Sequence, residues 1–183
     1  MNRARSGCRT SLAILLASAL AGSPAGVLNA ADGDLPPIAT KKLARIAQAG
    51  IFEIGQGDSS AVVGLELRFD RVRPDAAGPA RCSLDPRVGI LLTTNGAAYL
   101  YAGAGLAVRL PARCGLTVGL DAGLYENRQD VDLGGPVEFR TSLELARELP
   151  GSRRLGAVFQ HLSNASLYKH NPGVNSLLVT WSF

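Results

Sequence analysis

The segment 153–183 carries Gln160-His161-Leu162-Ser163-Asn164-Ala165, then Asn171-Pro172-Gly173, then an alternating run that ends in Trp181-Ser182-Phe183. His161 and Ser163 are two apart, and on a β-strand that spacing puts both side chains on one face. A hydroxyl beside an imidazole is the minimum equipment for a nucleophile with its own general base. The same two residues are equally at home as ordinary polar groups on a strand, so the elements around them decide what they do.

The chain of 183 residues suits one domain. Its net charge is +4, and five of its 19 Lys and Arg fall within 3–9 and 41–42. No basic face with interleaved aromatics results, which speaks against nucleic acid as a partner. With 21 glycines and 46% hydrophobic residues, the composition fits many glycine-punctuated strands better than helices. Arg3, Arg5 and Arg9 followed by an apolar stretch over 12–20 and then small residues read as a signal peptide over 1–30. Cleavage is expected near Ala30 or Ala31, with Ala19-x-Ala21 as the competing site. The apolar stretch is too short to span a bilayer, and no later segment offers ~18 uninterrupted apolar residues. Residues 31–48 read as a periplasmic leader in which 41–48 forms either a short helical turn or a polar lead-in. Cys8 leaves with the signal, so Cys82 and Cys114 form an even pair in an oxidising compartment and are expected as a disulfide. Two Cys and two His at these spacings match no zinc pattern, and neither metal nor cofactor is expected.

The chain beyond 49 is a procession of strands, expected at 51–56, 60–69, 87–93, 98–110, 116–125, 137–149, 155–164 and 176–183. Alternation tells which face is which. Val137, Phe139, Leu143, Leu145 and Leu149 share one parity, while Glu138, Arg140, Ser142, Glu144 and Glu148 fill the other. A soluble β-sandwich would show the same alternation with its apolar face turned inward. The end of the chain separates the two, because Leu177, Val179, Trp181 and Phe183 alternate to a terminal aromatic, as in bacterial outer-membrane barrels. The expected fold is all-β: an eight-stranded antiparallel transmembrane β-barrel over 49–183 in the bacterial outer membrane, its interior filled by side chains rather than open as a pore. In that barrel His161, Ser163 and Asn175 share the parity of Leu155, Phe159 and Leu177, on the outer wall at its extracellular end.

The span 49–183 resembles the outer-membrane lipid A 3-O-deacylase family (PagL). Its His-x-Ser-Asn-Ala hallmark is matched by His161-Leu162-Ser163-Asn164-Ala165, followed by Asn171-Pro172-Gly173; Tyr99-Leu100-Tyr101-Ala102-Gly103, Asp132-Leu133-Gly134 and Glu138-Phe139-Arg140 fit as well. The resemblance implies an exterior Ser–His pair that hydrolyses the ester-linked acyl chain at the 3-position of lipid A. Lipopolysaccharide would be the substrate, outer-membrane lipids the surroundings, and no cofactor would be needed. Ser163 would then be the nucleophile and His161 the base, with Asn164, and secondarily Asn171, stabilising the oxyanion. The family's third member is a Glu at the position matching Asn175. An amide can accept the imidazole N–H but brings no charge, so weakened activation is expected unless Glu126, Asp130 or Asp132 substitutes. The alternative is an inactive barrel that binds lipid. His170 is a rival base, and Lys169 and His170 either meet lipid A phosphates or form a solvated loop. The oligomeric state, a homodimer included, stays open.

Overall fold

The computed structural model describes residues 43–55, 57, 59–69 and 82–183. The expected signal peptide over 1–30 and the leader as far as residue 42 lie outside them. Eight strands follow one another: β1 (Leu43–Phe52), β2 (Ser60–Phe69), β3 (Cys82–Thr93), β4 (Ala98–Leu110), β5 (Cys114–Glu126), β6 (Val137–Leu149), β7 (Arg153–Ser163) and β8 (Val174–Ser182). Each pairs antiparallel with its neighbours in chain order, and β1 pairs with β8 to close the barrel. Closure leaves no free edge, the condition for a sheet to sit in hydrocarbon.

The two faces separate by parity. Leu120, Leu124, Leu143, Leu145, Leu177 and Val179 are about half exposed or more and lie on the outer wall. Inward positions carry charge. Arg68 reaches Glu66 and Glu144 at 2.6 Å each, Arg87 reaches Asp121 at 2.7 Å, and Arg140 joins Asp121 at 2.8 Å to Glu66 at 3.0 Å. Tyr101 stacks beneath the Arg140 guanidinium at 3.7 Å and donates its hydroxyl to Glu66 at 2.8 Å. A Cβ at inward-facing Gly119 would collide with the Arg87 guanidinium, so the absent side chain makes room for the ion pair. Above this layer an apolar cluster that includes Phe52, Tyr99, Tyr125, Leu133, Leu162 and Leu178 plugs the upper lumen. The filled interior is the one expected for eight strands.

Five strands start earlier than the pattern predicts, β5, β7 and β8 by two residues and β1 and β3 by five or more. β1 begins at Leu43, within the segment expected as leader, because it gains partners on both sides, from Leu43↔Phe69 on β2 and Ile46↔Ser182 on β8. β3 begins at Cys82 and carries Pro86 inside it, just past Arg68↔Arg87, the last pairing with β2, where a proline is tolerated. The expected disulfide is not formed: Cys82 and Cys114 are free thiols. Cys82 pairs with Val108 on β4, and β4 in turn separates it from β5, which Cys114 opens. Two interstrand spacings amount to about 9–10 Å, beyond the ~7 Å between Cα atoms that a disulfide can bridge.

Candidate active site

β7 and β8 run side by side, with His161 directly opposite Asn175. Inward residues of the pair, Gln160, Leu162, Ser176 and Leu178, are almost completely buried. His161, Ser163 and Asn175 have the other parity and are half-buried on the outer wall. His161 Nδ1 lies 2.9 Å from Asn175 Oδ1. With the amide oxygen as acceptor, the proton sits on Nδ1 and leaves Nε2 to receive one. No hydrogen bond joins Ser163 Oγ to His161 among the described residues.

On its other side the imidazole is given room by Gly173, at the end of the link between β7 and β8. Its φ is +66°, and a Cβ there would lie 2.8 Å from His161 Cε1 and 3.2 Å from Nε2. The link itself is folded around Asn164, which is fully buried. Asn164 Nδ2 donates to the carbonyls of Leu133 and His170 at 2.7 Å each, and its Oδ1 accepts from Ser166 N–H at 2.9 Å. Asn171 Oδ1 accepts the Asn164 backbone N–H at 3.1 Å. Both amide hydrogens of Asn164 are thus committed to backbone carbonyls, and the side chain holds the turn rather than reaching toward an oxyanion. Ala165 and Ser166 follow with φ of 51° and 67°, an uncommon conformation for residues with a Cβ.

The link between β5 and β6 locks onto this turn. A Cβ at Gly134 would strike the His170 carbonyl, and one at Gly135 would strike the Tyr168 ring. Leu133 is buried beneath both. The glycine pair and Asn-Pro-Gly are visible in the sequence as turn residues, but their mutual contact joins segments about thirty positions apart and leaves no local signal.

The three acids weighed as substitutes are engaged elsewhere. Glu126 pairs with Arg128 at 3.3 Å, Asp130 accepts the Ser60 hydroxyl at 2.8 Å, and Asp132 accepts Gly134 N–H at 2.8 Å. Glu53 neighbours this pair along the sheet, since the next residue's amide, Ile54 N–H, donates to Asn175 O at 2.9 Å. Lys169 and His170 are exposed on the link. Among the described residues no group of three His, Cys, Asp or Glu side chains converges as a metal site would require.

A comparison with curated proteins finds no match. Among solved structures, the crystal structure of the outer membrane enzyme PagL is similar with a TM-score of 0.65 at 16% identity, covering 76% of this chain and 98% of that one. The Yersinia pestis outer membrane protein Ail is a weaker likeness, with a TM-score of 0.44 at 11% identity over 76% of this chain and 99% of that one. The family model described as lipid A 3-O-deacylase (PagL) matches residues 87–183, which hold most of β3, all of β4 to β8 and the whole His161–Asn175 pair. Barrel and match together make this a protein of the bacterial outer membrane, and the chain belongs to the lipid A 3-O-deacylase (PagL) family.

Proposed function

We propose that the chain is an outer-membrane esterase that removes the 3-O-linked acyl chain of lipid A, working from the outer wall of the barrel. The observation that carries this reading is the 2.9 Å contact between His161 and Asn175, with Ser163 two positions away on the same membrane-facing surface. Polar groups on such a wall are costly unless they have a use there.

In this reading Ser163 Oγ attacks the ester carbon while His161 Nε2 takes its proton. The tetrahedral adduct collapses as the C–O bond to the sugar breaks, and the imidazolium returns the proton to the departing sugar hydroxyl. Water, deprotonated by the same nitrogen, then splits the acyl-serine and releases the fatty acid. Asn164 contributes by holding the turn, and the backbone N–H of Ala165, which has no hydrogen-bond partner among the described residues, is the donor best placed by sequence to meet the oxyanion. Asn175 orients the imidazole without adding charge, so the rate should be lower than a carboxylate would support.

The test is the mass of lipid A from cells that express the protein. It should drop by one 3-hydroxyacyl chain, and Ser163→Ala should restore the full mass. Asn175→Glu should accelerate the loss, by up to about 10⁴-fold if the amide is the weak member. Unchanged lipid A with folded wild-type barrel in the outer membrane would rule the activity out and favour a lipid-binding barrel.

A further inference from the structure

The outer wall has a second feature at the opposite end of the same strands. A groove of about 360 Å³ is lined by Cys114, Leu145, Arg147, Leu155, Ala157 and Val179. Ala157 makes it, a small residue opposite Leu145 on β6 and Val179 on β8. Arg147 lies opposite both Cys114 and Leu155 and marks the end of the groove nearer the rim where β1 starts and β8 ends. Arg113 is tied to the same corner, because Glu148 N–H donates to its carbonyl at 2.8 Å. Arg153 opens β7 two positions from Leu155.

These three arginines are exposed, and none has an ion pair among the described residues. The neighbouring acid, Glu148, lies opposite Arg154 and has the inward parity of Glu144, so it does not neutralise them on the outer face. The three-residue turns 111–113 and 150–152 at this rim are of the short kind that faces the periplasm. The groove therefore opens onto the inner leaflet of the outer membrane.

We propose that this corner is a binding site for one anionic phospholipid of that leaflet. One acyl chain lies in the groove across Ala157, and the phosphate meets Arg147 with Arg113 and Arg153. Guanidinium groups suit phosphate oxygens through paired N–H donors, and the aliphatic stems of arginine lie against apolar surface while the head reaches the headgroup layer. Charge complementarity chooses the occupant: a zwitterionic lipid has the same tail but no net charge to match three unpaired cations. The site does not depend on the deacylase reading.

Trp181 makes the test direct. It is the only tryptophan of the chain, and it lies on the outer wall opposite Leu155 of the groove. The full-length mature protein would be reconstituted in phosphatidylcholine vesicles containing a minor fraction of either bromine-labelled phosphatidylglycerol or bromine-labelled phosphatidylcholine. At equal mole fraction the anionic lipid should quench Trp181 as though several-fold enriched, roughly five-fold for each arginine that meets the phosphate. Arg147→Gln should reduce the preference, and Ala157→Leu should remove it by filling the groove, with folding checked by heat-dependent gel mobility. Equal quenching by the two lipids in the wild-type protein, whether from unselective lipid or from a second copy covering the wall, would overturn the proposal. So would a preference that survives both substitutions.

Discussion

Gly173 stands where a single methyl group would press on the imidazole of His161, and it does so in a left-handed backbone conformation. Alanine there would meet both penalties, about 1–2 kcal/mol for the backbone and a displaced ring. A misplacement near 1 Å is worth roughly 10²-fold in rate, so Gly173→Ala should cut deacylation on that order while the barrel still folds. Initial rates on lipid A micelles, with the folded fraction read on gels, would check this; an unchanged rate would mean that the link yields to the methyl group without moving the ring. At this scale the sequence is unevenly informative. His161, Ser163 and Asn175 could be placed on one face from parity alone, because strand periodicity fixes direction. The room that Gly173 leaves for the ring could not, since it depends on how a ten-residue link returns across the ring. The commitment of Asn164 was hidden for the same reason: its partners are carbonyls, which every residue has.

The links behave as one element. Asn164 fastens the β7–β8 link to Leu133 of the β5–β6 link, and Gly134 and Gly135 let the two backbones approach closely. Asn164→Ala would leave the Leu133 and His170 carbonyls without their donor, at a cost of about 1–3 kcal/mol. Hydrogen exchange should then quicken in both 127–136 and 164–173 while the strands keep their protection; quickening in one link alone would show that they are independent. Strands were more legible than links. β2, β4 and β6 occupy the residues that alternation predicts, because each has a clean apolar parity. In β1, Arg45 faces outward and Gln48 inward, so its membership is set by pairing to β2 and β8 rather than by its own pattern. An even cysteine pair says nothing of strand order, and β4 lies between Cys82 on β3 and Cys114 on β5.

Across the whole molecule, stability rests on a lumen in which three arginines and three carboxylates neutralise one another. Arg140 is its hinge, touching Asp121, Glu66, Gln160 and the face of Tyr101. Arg140→Met would take one of two arginine partners from each of Asp121 and Glu66, which keep Arg87 and Arg68, and should cost up to about 3 kcal/mol, read as an earlier midpoint in urea unfolding from vesicles. A midpoint within error of wild type would mean that the remaining pairs rearrange. Parity predicted a polar interior, yet which residue pairs with which depends on the stagger of the closed sheet, and no local pattern records that. The outward parity of His161, Ser163 and Asn175 has one more consequence. If that wall carries out the proposed deacylation, the enzyme is dissolved in its substrate. Its working concentration is a mole fraction in two dimensions, encounters follow lateral diffusion, and any inert amphiphile dilutes the reaction without ever binding the protein.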